Sequence, residues 1–244
     1  MMQLQEHRGP DDSGIAMFSL EEKKSISYNE NELKNFNVQD DICEFNGGIG
    51  FNRLSIIDVT KNGHQPMANE NKTIYIMFNG EIYNAFELKE ELITSDYNFK
   101  SKTDTEVILA LYEKYGLEYT LQKLNGMFAI CILDLKKNQI FLARDRFGIK
   151  PLYYIFNENF FSFSSEIKSF LAIKNFKFRL NKEHLSEYFI FKYLAPPNTL
   201  VSEISLLSPG QYIIFESNEI KKKLISISKI LKTKLLVKII KLQI

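Results

Sequence analysis

Tryptophan is absent from this chain, and cysteine occurs only twice, at Cys43 and Cys131, with no CxxC pair. That excludes a disulfide scaffold and a cysteine-based zinc site, and fits a reducing cytosol. No charged leader runs into an apolar segment at the N-terminus. The longest apolar run, Met127 to Leu133, is far shorter than the about 20 residues that span a bilayer. The expectation is a soluble, cytoplasmic protein with no membrane partner. A G-x-x-x-x-G-K-S/T phosphate loop is also missing, so ATP binding by that motif is not expected.

What is present points to a globular chain: 244 residues, 45% hydrophobic and 13% aromatic, long enough for one large domain. The net charge of +1 hides an asymmetry. Eight of the 31 basic residues follow Ile220, where no acid occurs, leaving 23 basic against 30 acidic side chains before it, a net −7. An acidic body with a short basic tail is not a nucleic-acid binder's pattern, which needs a basic patch beside groove-reading or aromatic elements. The Lys/Ile/Leu-rich stretch also marks a composition shift. We therefore place the domain at 1–216 and read 217–244 as a basic tail. A basic amphipathic helix on a membrane or partner is its competing reading.

Ser13–Leu20, Ile49–Asp58 and Thr73–Phe78 read as strands, and Glu21–Asp41 as a hairpin or loop. Asn84 with Glu87, and Thr103 with Glu106, have the form of capping boxes. They predict helices to about Leu92 and over the segment that Gly116 closes in a left-handed cap. Leu117, Leu121 and Leu124 suggest a further short helix. Met127–Asp134 with Gln139–Arg144, and Leu152–Phe156 with Phe160–Ser164, read as two strand pairs, and Glu166–Ile173 as helical. Strands that bury one face and helices that cover the other predict layers of mixed sheet with helices outside.

Several blocks then carry chemistry. Phe78-Asn79-Gly80-Glu81-Ile82-Tyr83-Asn84, Gln5-Glu6-His7-Arg8-Gly9-Pro10-Asp11, Arg53-Leu54-Ser55-Ile56-Ile57-Asp58 and Ser101-Lys102-Thr103-Asp104-Thr105-Glu106 stand out, with Arg144-Asp145-Arg146-Phe147-Gly148-Ile149-Lys150-Pro151 further on. Together they resemble the glutamine-hydrolysing half of asparagine synthetase, a class II amidotransferase, and the resemblance runs from about Leu4 to about Glu216. It implies an α+β fold, the four-layer αββα sandwich of N-terminal-nucleophile amidotransferases, here lacking its first strand.

The resemblance also implies roles. Arg53 grips the glutamine α-carboxylate, as a guanidinium suits a carboxylate by donating two parallel bonds. The segment Leu54, Ser55, Ile56 and Ile57 lines the substrate, and Glu81 completes the N-G-E block. Asn79 and Gly80 form the oxyanion hole, where small preorganised donors meet developing charge. Asp104 binds the α-ammonium. Each has a plainer reading: an ion-paired strand arginine, an Asn-Gly turn, a carboxylate complementing a helix dipole. Arg144 to Tyr153 and His7 to Asp11 read as loops that Gly, Pro and Arg–Asp pairs hold. His7 is not the base, because in the family the base is the free amine of a terminal cysteine, which also supplies the nucleophile.

That cysteine is not among these residues. Neither Cys43 nor Cys131 replaces it, since a thiol needs an adjacent base or a lowered pKa. The Ser-Gly-Gly-x-Asp-Ser loop of the synthetase half is also missing. ATP and Mg belong to that half, so no cofactor is expected here, and no metal. The expectation is therefore an inactive, glutamine-binding fragment of an asparagine synthase, with L-glutamine as ligand and a second copy or a separate synthetase domain as protein partner. The alternatives are an amidotransferase for another carboxylate, such as a sugar acid in cell-envelope synthesis, or a non-catalytic glutamine-binding module.

Overall fold

Strict alternation along two neighbouring strands organises the molecule, seen here in a computed structural model that describes residues 1–33, 44–55, 58, 60–174 and 176–225. In β5 (Ile74–Ile82) and β6 (Gly126–Asp134), the even-numbered side chains Ile74, Ile76, Phe78, Phe128, Ile130 and Ile132 enter one core. The odd-numbered Tyr75, Met77, Ala129, Cys131 and Leu133 enter another. Successive strand residues point to opposite faces, so a sheet apolar on both sides must be covered twice.

The first cover is helical. α1 (Ala85–Ile93), α2 (Asp104–Tyr115) and α3 (Leu117–Lys123) pack Leu88, Leu92, Val107, Leu111 and Leu121 on the even face. Thr103 accepts a hydrogen bond from Glu106 N–H at the start of α2. Gly116 ends α2 at φ +78°, a region glycine enters without strain, with ψ 178° that sends the chain straight into α3. The capping box expected at Asn84 does not form. Its side chain instead donates to Lys123 O and accepts from Asn125 N–H, tying the start of α1 to the end of α3.

The second cover is two three-stranded sheets. β1 (Asp12–Ser19), β2 (Lys24–Asn29) and β3 (Gly47–Arg53) run in the order β2-β1-β3. β8 (Tyr153–Phe156), β9 (Phe161–Ser164) and β10 (Ser205–Leu206) run in the order β10-β8-β9. The central sheet is β12-β11-β7-β6-β5-β4, with β4 Met67–Ala68, β7 Gln139–Arg144, β11 Gln211–Glu216 and β12 Glu219–Leu224. Outside the second layer, Ile155 packs with Phe170, from the 3-10 helix Ile167–Ala172, and with Ile204. The order helix, sheet, sheet, short helix is the αββα arrangement.

Several local expectations shift. Every strand pairing among the described residues is antiparallel, not mixed. The hairpin after Leu20 forms as β2 followed by a single helical turn at Glu30–Leu33. The strand from Ile49 ends at Arg53, whose guanidinium bonds the carbonyls of Asp58 and Thr60 and draws the chain into a loop. The helical segment expected at Glu166–Ile173 forms as the 3-10 helix Ile167–Ala172. The sheet continues past Glu216, since Gln211↔Leu224 to Glu216↔Glu219 pair and Ile225 is buried. The first nine residues expected in the tail thus belong to the packed domain.

Candidate functional site

Between the central sheet and the second layer lies a cavity of about 830 Å³. Its floor is the odd face of β5 and β6, with Met77, Asn79, Ala129 and Cys131. Asn79 sits inside β5 opposite Ala129, and Gly80 opposite Phe128, so Asn-Gly is not a turn here. Pairing with β6 along nine residues outweighs the local turn preference. The Asn79 amide has no hydrogen-bond partner among the described residues, and it faces the cavity. A methyl group on Gly80 would overlap Met127 O and the Phe128 backbone, so only glycine permits this approach of β5 to β6.

Arg53, at the end of β3, is 7% exposed and forms part of the wall. Two of its nitrogens donate to the carbonyls of Asp58 and Thr60, which leaves N–H capacity for an anion. A Cβ at Gly63 would overlap the guanidinium and lie 3.1 Å from Thr103 Cγ2, so Gly63 is the spacer between Arg53 and the start of α2. Asp58 locks this corner. Its carboxylate accepts from the Thr60 hydroxyl (2.6 Å), Thr60 N–H (2.9 Å) and Lys102 N–H (3.0 Å). The Thr60 side chain first, then the two N–H groups, pull its pKa down to about 2.

Asp104 opens α2 and is also 7% exposed. It accepts from Ile82 N–H at 3.1 Å, joining the helix to the end of β5. Burial raises its carboxyl above the ordinary value. The Ile82, Asp104 and Thr105 N–H groups oppose that, and the nearby Glu81 charge adds to it. One end of the cavity therefore carries a buried guanidinium, and close to it stand two carboxylates, Asp104 and the exposed Glu81.

Of the other expected residues, Leu54 lines the cavity, while Ser55 does not and donates its N–H to Asp11. Ile56, Ile57 and Cys43 lie outside the described residues. The Cys131 thiol borders the cavity but is buried among apolar side chains, and burial pushes its pKa up, the reverse of activation. His7 stands apart, bonded to Glu166 (3.1 Å) beside Arg8 and Lys168. The sequence reading missed Gln65, which is buried on the cavity wall and bonds Phe78 N–H at 2.7 Å and Thr105 Oγ1 at 3.3 Å. Its position between Gly63 and Pro66 was the available signal.

Strands β3 and β9 both face the cavity and are edges of their separate sheets. The first residues of the chain bridge them, with Asn52 Nδ2 donating to Met2 O (2.8 Å) and Gln5 Nε2 to Ser164 Oγ (2.9 Å). The loop after β7 closes one side. Expected Arg–Asp pairs do not hold it. Asp145, fully buried, accepts from the N–H groups of Phe128, Phe147, Ile149 and Lys150, and Arg144 donates to the carbonyls of Gly148, Lys150 and Leu207. Among the described residues, no group of three or more His, Cys, Asp or Glu side chains is gathered as for a metal ion, and no helix is long and apolar enough to cross a membrane.

One intersheet cavity of an αββα sandwich thus gathers a buried arginine, a buried carboxylate and the Asn79 amide. A family model described as a glutamine amidotransferase domain matches residues 36–225, and the chain belongs to that family. It is 38% identical over 234 residues to a putative glutamine-hydrolysing asparagine synthetase of Methanocaldococcus jannaschii, covering 88% of this chain and 40% of that protein. It is 45% identical over 163 residues to asparagine synthetase 1 of Bacillus subtilis, covering 67% of this chain and 25% of that protein. The chain thus spans less than half the length of these relatives. Its fold matches the glutamine phosphoribosylpyrophosphate amidotransferase of B. subtilis with a TM-score of 0.67 over 93% of this chain and 46% of that one, at 19% identity.

Proposed function

We propose that this chain is the glutamine-binding half of an asparagine-synthetase-type amidotransferase. The observation that carries the reading is the cavity itself: Arg53 and Asp104 on adjoining walls, with the Asn79 amide, unengaged among the described residues, on the floor. Glutamine places its α-carboxylate on Arg53 and its α-ammonium on Asp104, with Glu81 adding negative potential. Its side chain then runs along the floor and sets the carboxamide oxygen against Asn79 Nδ2 and Gly80 N–H. Asp58 and Gly63 keep the two anchors in register.

Hydrolysis needs a nucleophile, and the buried Cys131 does not serve. We assign it to a terminal cysteine on an extended segment outside these 244 residues, its own amine acting as base as the family resemblance implies. The facing edges of β3 and β9, which Met2 and Gln5 bridge at two points, are where such a strand fits, since among the described residues neither pairs with another strand on that side. The thiol attacks the carboxamide carbon, ammonia leaves with the amine's proton, and water releases glutamate and restores the thiol. ATP-dependent activation of the acceptor, aspartate in this reading, belongs to the remainder of the longer enzyme.

The test is repair. Adding an N-terminal segment that ends, after processing, on a free cysteine should produce steady glutamate release from glutamine. The Asn79→Ala variant should then lose about 10²–10³ in turnover. A folded, extended protein with a free terminal cysteine and no glutamate release would show that the cradle is not intact.

A further inference from the structure

Side chains close the edge of β5 that β4 leaves uncovered, and they leave one gap. Along an antiparallel strand the backbone groups of alternate residues turn to opposite edges. The odd residues of β5 turn to β6, and the even ones to the side where β4 runs. β4 is only Met67–Ala68, opposite Ile76 and Tyr75, and Pro66 before it has no N–H to extend the ladder. The remaining even N–H groups need other partners. Asn69 Oδ1 accepts from Ile74 N–H (3.0 Å), Gln65 Oε1 from Phe78 N–H (2.7 Å) and Asp104 Oδ2 from Ile82 N–H (3.1 Å). Gly80 N–H, midway between the last two, has no such partner among the described residues. Nor does β6 supply one. Phe128, opposite Gly80, donates its N–H to Asp145 Oδ2 and accepts Asp145 N–H on its carbonyl, so its backbone groups turn away from β5.

Gln65 does more than accept one N–H. Its Nε2 also donates to Phe78 O (3.4 Å) and to Thr105 Oγ1 (3.3 Å). A carboxamide carries the same donor and acceptor as a peptide group. The register Met67↔Ile76, carried back along the chain, puts Gln65 opposite Phe78, so its side chain stands in for the strand partner that is missing there. A bond at one point would let the strand swivel, whereas a grip on both backbone groups fixes the tilt of the Phe78 peptide planes. The side chain is buried, and His64 beside it bonds Asp12 Oδ2 through Nδ1 at 2.8 Å, which ties the segment to β1. Thr105 adjoins Asp104, so Gln65 links β5 to the same helix start that holds Ile82. Gly80 lies between the two grips and has the loosest backbone of any residue type, so the direction of its N–H depends on its neighbours.

We infer that Gln65 is a positioning residue for carboxamide hydrolysis: by gripping both backbone groups of Phe78 and the Thr105 hydroxyl, it aims Gly80 N–H at the carboxamide oxygen as that oxygen gains charge. This rests on the reading of the cavity as a glutamine site. A donor already aimed needs no reorganisation when charge develops, which is the source of its effect on rate. The grip therefore serves turnover and not ground-state binding, because Arg53 is held separately, by the carbonyls of Asp58 and Thr60. Asn69 supplies an internal comparison. It is buried like Gln65 and caps the same edge of β5, but at Ile74, well down the strand from Gly80.

Two readouts test it. In the N-terminally extended protein with its terminal cysteine, Gln65→Met should lower kcat for glutamate release roughly ten- to a hundredfold with KM unchanged. Thr105→Val should give a smaller fall of the same kind. Asn69→Leu should lower the melting temperature yet leave kcat as it is. The second readout needs no turnover. The 244-residue chain has eleven glycines, so glycine-selective ¹⁵N labelling gives a sparse amide spectrum in which Gly80→Ala identifies the Gly80 signal by its loss. That signal should move in Gln65→Met and Thr105→Val and stay in place in Asn69→Leu. A Gly80 signal that Gln65→Met leaves unmoved overturns the proposal. So does a Gln65→Met protein with kcat intact, or one whose kcat falls no further than that of Asn69→Leu at equal loss of melting temperature. If Gln65→Met does not fold, Thr105→Val decides by the same two readouts. An extended protein that releases no glutamate defeats the glutaminase reading, while the Gly80 signal still reports on the grip, so the two failures are separate results.

Discussion

Replacing Asp104 by asparagine should weaken ligand binding and strengthen the fold at once. The change is isosteric, and the new carboxamide oxygen still accepts Ile82 N–H. What disappears is the charge that meets the α-ammonium. A charge-assisted contact is worth about 1.5–3 kcal/mol, so glutamine affinity should fall roughly ten- to a hundredfold. The des-amino analogue of glutamine should bind wild type and variant alike. Stability moves the other way. Burial, aided by Glu81, raises the Asp104 carboxyl in the folded protein above its ordinary value, so ionisation is easier in the unfolded chain. A raised folded pKa contributes stability that is present below the unfolded pKa and lost as pH rises through the folded one. Asp104→Asn should therefore melt higher at pH 7, with the difference closing as pH falls through the carboxyl's titration. Calorimetric titration of the extended protein, with serine in place of the terminal cysteine, with both ligands, and melts across that pH range, read the two effects. Unchanged glutamine affinity together with a lower melting temperature at pH 7 would refute the reasoning.

Three further outcomes follow from single contacts. Asp58→Asn should lower the melting temperature at pH 7. With the folded pKa depressed to about 2, that deficit should shrink as pH falls from about 4 toward 2, and a pH-independent deficit would contradict the assigned bonds. Gly80→Ala should destabilise by about 1–3 kcal/mol in denaturant melts, because its methyl group meets the Met127 and Phe128 backbone, which cannot swing aside. Cys131→Ala should leave glutamate release by the extended protein unchanged, and a loss beyond its effect on folding would make that thiol part of the chemistry.

Much of this architecture was legible because its signals are local. The Ile- and Phe-rich run at Thr73–Phe78 and the apolar run at Met127–Asp134 marked the central strands. Thr103 marked the start of α2, where its hydroxyl does cap Glu106 N–H. Signals failed where distant partners compete. Asn84 had the sequence form of an N-cap, yet Lys123 and Asn125 claim its side chain. Asn79-Gly80 had the form of a turn, yet β6 holds it in a strand. Gln65 and Gly63 carry no periodicity and become wall residues only when the loop folds against α2. The lysine-rich composition after Ile220 suggested a tail, whereas pairing with β11 makes Glu219–Leu224 an edge strand, a position that suits lysine.

The most direct measurement is a crystal structure with bound glutamine, using the N-terminally extended protein with serine in place of the terminal cysteine so that the ligand survives. The account predicts the α-carboxylate on Arg53, the α-ammonium on Asp104, and the carboxamide oxygen between Asn79 Nδ2 and Gly80 N–H. Glutamine bound elsewhere, or bound in the cavity with Arg53 still committed to the carbonyls of Asp58 and Thr60 and the ligand carboxylate in solvent, would contradict it.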